Sequence, residues 1–148
     1  MSSRWSGYNN AGICSIALMS VLEHSRSVTL PKALLVMPLV MHDVTVRYLG
    51  NSRVVQREAA ALVAQRPDLF ANFATRFDDS LAVTINAIQL LVEAGFIEFD
   101  DRLTLLKPLE IDSTFGVRAQ KIVKAAGHIA SLLTSPVDEL YLNFRVKL

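Results

Sequence analysis

From Leu140 to Leu148 apolar and polar residues alternate. Leu140, Leu142, Phe144, Val146 and Leu148 fall on one side, and Tyr141, Asn143, Arg145 and Lys147 on the other. Period two is the mark of a strand with one apolar face. The alternation runs to the last residue, so no following hairpin partner is expected. Such a strand either folds back as an edge strand of its own domain or adds to the sheet of another protein. On the second reading, residues 140–148 are a partner-binding strand with Leu142, Phe144 and Val146 as its contacts, and the chain is a subunit held by others.

The composition agrees with a held subunit. Apolar residues make up 51% of the 148 and charged residues 20%. That is greasy for a free monomer and implies apolar surface patches, which usually mark interfaces. A net charge of +1 gives no bulk attraction to nucleic acid or membrane. The length suits one domain with its own core. A single cysteine, Cys14, excludes a disulfide framework and fits a reducing, cytoplasmic compartment. No signal peptide is expected, because Met1 to Tyr8 lacks an apolar stretch and reads as a loose arm. Leu30 to Met41 is the greasiest segment, but it contains Lys32 and Pro38 and falls short of the roughly 20 apolar residues that span a bilayer.

The periodicity predicts a mainly α chain. Asn9 or Asn10 caps a helix to about His24 that buries Ala11, Cys14, Leu18, Val21 and Leu22. Ser25 to Thr29 reads as a linker. Leu30 to Met41 reads as a buried helix, kinked or broken by Pro38, and His42 to Leu49 continues it. Ser52 to Gln65 forms an Ala-rich helix, and Asp68 caps the next, which buries Leu69, Phe70, Phe73 and Phe77. A further helix opens at Asp78, Asp79 and Ser80, buries Leu81, Ile85, Ile88 and Val92, and ends at Gly95 in a left-handed cap. Phe96–Phe99 and Arg102–Leu106 form a hairpin through Asp100-Asp101. Asp112 to Thr114 cap a helix from about Phe115 to Leu133. Ser135-Pro136, with Asp138 third in the turn, signals one more helical start that competes with the terminal alternation. The expectation is a short helical turn, then strand.

Helix, helix, Gly, hairpin is the order of a winged helix. The fold expected is therefore a single winged-helix-like domain over residues 1–148: small, helical, with a β-hairpin and a short C-terminal strand. A groove-reading helix presents Arg, Lys, Asn or Gln to bases and cations to phosphates. Asp78 to Glu93 has no Arg or Lys, opens with two acids, and is followed by Asp100 and Asp101 in the wing. Charge repulsion opposes direct DNA reading by this element.

The basic residues cluster elsewhere. Arg118, Lys121 and Lys124 recur every three residues with His128 one turn on, along one helical face; Ile122, Val123, Ala126 and Ile129 lie toward the other side. This is either a solvated face or a contact for an acidic partner or a nucleic-acid backbone.

Catalytic chemistry finds no constellation. The three His residues lie far apart and lack metal-ligand spacing. Cys14 has no nearby base, and the six glycines are scattered rather than gathered in a phosphate loop. No cofactor or metal is expected. His42, Thr45 and Arg47, with Asp43, make one polar cluster beside the buried helix and read as hydrogen-bonded structure at a helix end.

Two segments carry a family resemblance. YNNAGICSIALMSVLEH followed by LPKALLVMPLVMHDVTVRYL resembles the middle component of three-component ABC systems, the Lamassu-type anti-phage and anti-plasmid defence systems. The likeness falls on Asn9 or Asn10, Leu30-Pro31, Met37-Pro38-Leu39-Val40, His42 and Thr45. It extends through EAGFIEFDD, the Arg118 to Ala130 helix and the hydrophobic C-terminus. The resemblance implies a non-catalytic adaptor between an SMC- or Rad50-like ABC ATPase and an effector, often a nuclease. DNA would be met only through the complex, and no membrane is involved. A winged-helix transcription regulator is the alternative.

Overall fold

The structure is a computed structural model that describes residues 7–51 and 58–147. The expected arm over Met1 to Tyr8 lies largely outside these residues, as do the first six of the Ser52–Gln65 helix and Leu148 of the terminal alternation.

Helix α1 (Gly7–Ser25) is the centre of the fold. Its apolar residues wrap every side, so it is buried almost all round rather than along one stripe. Ala11, Cys14, Leu18, Val21 and Leu22 are buried as expected, and Ile16, Ala17 and Met19 join them. The helix begins ahead of Asn9, so neither asparagine is its cap; Asn10 is buried inside it. Ser15 and Ser20 satisfy their hydroxyls on the carbonyls of Ala11 and Ile16, four residues back.

The expected linker after α1 is instead a strand. Arg26 takes φ 68°, a left-handed residue that turns the chain sharply, and β1 (Ser27–Thr29) follows. Three residues carry too little period to announce a strand; a partner distant in sequence makes it one. β1 pairs antiparallel with β3 (Arg102–Leu105), Val28 opposite Leu103, and β3 pairs with β2 (Ile97–Phe99), giving the order β1-β3-β2.

The greasy segment breaks as Pro38 requires. α2 (Leu30–Ala33) and α3 (Val36–Val40) are separated at Leu34-Leu35, because Pro38 has no N–H to give the carbonyl of Leu34. α4 (Asp43–Leu49) follows, then α5 (Ala59–Gln65) and a single 3-10 turn, Pro67–Phe70.

The two helices expected on either side of Asp78 are one. α6 runs unbroken from Phe73 to Glu93. Asp78 and Asp79 are exposed within it. Ser80 is buried and donates to Phe77 O at 3.0 Å instead of capping. α6 buries Phe73, Phe77, Ser80, Thr84, Ala87, Ile88 and Leu91, while Ile85 and Val92, expected inside, are exposed. Gly95 (φ 81°) closes it as expected: Gly95 N donates to Val92 O and Phe96 N to Leu91 O, both at 3.0 Å.

After the hairpin, Asp112 accepts from Thr114 N at 2.9 Å and caps only a 3-10 turn, Ser113–Phe115. α7 (Val117–Leu132) starts beyond Gly116 and packs on α1 and α4.

The terminal strand is corrected to a helix. α8 (Val137–Phe144) opens after Ser135-Pro136, with Asp138 and Glu139 in its first turn, where carboxylates suit the helix dipole. Residues 140 and 144 satisfy period two and period 3.6 alike, so the alternation does not discriminate. The helix closes in a left-handed cap on Arg145 (φ 60°): Arg145 N donates to Leu142 O at 3.2 Å and Val146 N to Tyr141 O at 3.0 Å. This stacks Val146 against the preceding turn.

Candidate partner interface

Helix α8 decides the fate of the first contact set. Its inward face is Leu140, Tyr141 and Phe144. Phe144 is 1% exposed and stacks on Phe70 with ring centroids 4.7 Å apart, and it meets Phe73 at 4.9 Å. Tyr141 stands edge-on to Phe77 and donates its hydroxyl to Pro31 O; burial pushes its phenol up to about 12. Val146 is buried as well. Phe144 and Val146 therefore belong to the chain's own core and cannot bury a partner. Of the three expected contacts only Leu142 faces outward, and it is 78% exposed.

The second contact set lies on α7. Arg118, Lys121 and Lys124 are all exposed on this helix, whose inner face buries Ala119, Ile122, Ala126 and Ile129. Val123 is also exposed, although the periodicity set it inward. Arg118 and Lys121 flank a groove of about 400 Å³ between α4 and the start of α7, whose apolar lining is Val40, Met41, Val46 and Val117. Val117 is 73% exposed at its mouth. Lys124 lies further along, beside Gly50 at the end of α4, where an added β-carbon would come within 3.8 Å of Lys124 Cδ. Among the described residues none of the three cations pairs with a carboxylate; Asp43, at the groove edge, is held by Arg47 at 3.1 Å. His128 departs from this face. It is half-buried and donates from Nδ1 to Leu49 O at 2.8 Å, tying α7 to α4.

The polar cluster is partly assembled. His42 Nδ1 lies 2.8 Å from Thr45 Oγ1, and the fully buried Thr45 donates to Leu69 O at 3.4 Å. Arg47 takes no part: it points outward to Asp43. Its place is taken by Arg76 of α6, which donates from its two terminal nitrogens to Pro38 O at 2.9 Å and Leu69 O at 2.8 Å. These carbonyls stand at chain segments where helical pairing is interrupted, and the planar guanidinium serves both at once. Arg76 Nε is buried without a hydrogen-bond partner in the described structure. Burial holds the His42 imidazole below its ordinary value, reinforced by the Arg76 charge and opposed by Asp68 and Asp43; burial likewise lowers Arg76. Arg76 was detectable in the sequence, since a cation at the spacing of Phe73 and Phe77 shares their apolar face.

Cys14 is fully buried, and its thiol lies 3.7 Å from Thr84 Oγ1. Burial pushes the thiol up to about 12 against a smaller opposing effect of that hydrogen bond. In the β2–β3 turn, Arg102 N donates to Asp100 Oδ1 at 3.1 Å, which holds that carboxyl below the usual range and fixes it as a turn former. Beside the hairpin, Ile85 and Val92 of α6 and Phe99 of β2 surround a groove of about 300 Å³. Among the described residues no helix is long and apolar enough to cross a membrane, and no group of three or more His, Cys, Asp and Glu side chains could hold a metal.

No curated protein and no solved structure matches the chain. The sequence model of the ABC-three component (ABC-3C) system Middle Component 3 family matches residues 10–148. The match takes in α1, the broken Leu30–Met41 segment, the hairpin, the basic face of α7 and α8. The chain belongs to the ABC-three component system Middle Component 3 family.

Proposed function

We propose that the chain is a non-catalytic adaptor of a cytoplasmic, Lamassu-type defence complex. It would join an SMC- or Rad50-like ABC ATPase to an effector such as a nuclease and restrain that effector until the ATPase meets phage or plasmid DNA. The observation that carries the reading is the α4–α7 groove. Arg118 and Lys121, without carboxylate partners among the described residues, border an apolar channel whose lip is the exposed Val117. That pattern suits an acidic, partly apolar segment of a partner subunit. Leu142 on α8 would add a separate apolar contact.

The topology supports a winged-helix description: a helix, a strand that pairs with the last one, and a long helix leading into the hairpin. The exposed side of that long helix carries Asp78, Asp79, Ile85, Gln89, Val92 and Glu93. Acidic and apolar residues there suit protein rather than phosphate. The alternative, a regulator that reads duplex DNA, predicts binding by the isolated chain that falls steeply with salt.

Co-expression with an SMC- or Rad50-like ATPase and an effector, sought among the neighbouring genes, tests the reading. The triple charge reversal R118E/K121E/K124E is expected to abolish co-purification while leaving thermal unfolding unchanged. Retained assembly would overturn this surface.

A further inference from the structure

A second cavity lies on the opposite flank of α7 and differs in chemistry. It has a volume of about 480 Å³, between the end of α1, strand β1 and the last turns of α7. Lys32, Arg102 and His24 line it, and no Asp or Glu does. Among the described residues none of these three is paired with a carboxylate. Ser27, Ser131 and Thr134 also line it; Thr134 Oγ1 donates to Ser131 O at 2.6 Å and Ser27 Oγ lies 3.5 Å from Thr104 Oγ1.

Three local features of the chain build this space. The left-handed Arg26 turns the chain between His24 and Ser27, with Arg26 N on Leu22 O at 2.8 Å and Leu105 N on Arg26 O at 2.9 Å. Arg102 reaches the same space because β3 pairs with β1, Thr29 opposite Arg102. The His24 ring packs over Gly127 of α7, where a β-carbon would stand 3.4 Å from His24 Cε1, in van der Waals contact.

We propose that this cavity binds the phosphoryl group of a small phosphorylated ligand. A phosphoryl group carries close to two negative charges at neutral pH and three acceptor oxygens. Lys32 and Arg102 supply matching charge, and the Ser131 hydroxyl and the His24 imidazole supply further donors from the two helices that wall the cavity. The volume lies within the roughly 300–1,000 Å³ of small-molecule sites, so the space beyond the anion accommodates a group of nucleoside size. The surface is distinct from the α4–α7 groove, so this site and the proposed partner contact stand or fall separately.

Calorimetric titration of the full chain with inorganic phosphate and with ATP tests the proposal. Saturable binding of one equivalent is expected for at least one probe, weakened about tenfold by K32E or by R102E, as befits loss of one charge-assisted contact. Lys147→Glu, an exposed charge change away from the cavity, is expected to leave binding unchanged. ATP binding more tightly than phosphate identifies a nucleotide-sized ligand, and equal affinities identify the free anion. K32Q and R102Q serve if circular dichroism shows that a reversal perturbs folding. No saturable binding of either probe, binding undiminished in both pairs of variants, or binding only of a DNA duplex would overturn the site.

Discussion

The ring of Phe144 stacks on that of Phe70 at 4.7 Å with the planes inclined by 13°. Seventy-four positions apart in sequence, the two rings join α8 to the 3-10 turn that precedes α6, and Phe73 closes the cluster. The C-terminal segment is thereby a structural part of the core.

Phe144→Ala is expected to destabilise the fold by about 3–5 kcal/mol, the range for removing a buried aromatic ring. Leu142→Asp, on the solvent side of the same helix, is expected to shift stability by no more than about 0.5 kcal/mol. Urea unfolding separates the two; similar losses for both would contradict the orientation of α8.

Arg145 holds a left-handed conformation (φ 60°) in the cap of α8. A β-carbon is unfavourable there and glycine is not. Arg145→Gly is expected to raise stability by about 0.5–1 kcal/mol, the usual scale of such backbone effects, read as a higher urea midpoint at unchanged slope. A lower midpoint would mean that the Arg145 side chain contributes more than its backbone strain costs.

Arg76 donates to two carbonyls, Pro38 O and Leu69 O, the second of which also accepts from Thr45 Oγ1. Arg76→Ala leaves both without this donor and is expected to cost about 1.5–3 kcal/mol, the range for hydrogen bonds to a charged group. Lysine presents a point charge instead of a fork, so Arg76→Lys is expected to recover only part of the loss. Full recovery in chemical denaturation would show that charge alone matters.

The Cys14 thiol is pushed up to about 12 from an unfolded value of 9.0. As pH rises past 9 the unfolded chain gives up this proton while the folded one keeps it. Its contribution to stability is therefore complete below pH 9 and is lost between 9 and 12. Tyr141, raised from 10.0 to about 12, acts in the same direction from pH 10 upward. Unfolding free energies measured from pH 8 to 11 should fall, and fall less steeply in Cys14→Ala. At pH 8 the native thiol should resist a thiol reagent until denaturant is added; reaction at the rate of a free cysteine would show that it is not enclosed.

Local chemistry was enough to announce much of this architecture. The helical spacing in α1 named its buried residues, Pro38 forecast the broken Leu30–Met41 segment, Gly95 marked its cap, and the hairpin lay within a residue of its strands. The resemblance through LPKALLVMPLVMH and EAGFIEFDD placed the chain among ABC three-component middle components. These signals live within a few residues or one helical turn, where sequence and geometry are tightly coupled.

Only the tertiary structure decided the rest, because the rest depends on partners distant in the chain. Ser27–Thr29 is a strand because Arg102–Thr104 pairs with it across some seventy-five residues. Asp78 and Asp79 look like a helix start, yet burial of Phe73, Phe77, Ser80 and Thr84 along one face carries α6 through them. The terminal alternation satisfied strand and helix equally at Leu140 and Phe144. The aromatic pocket of Phe70 and Phe73 accepts Phe144 from a helix, which turns Leu142 to solvent and closes the core over Val146.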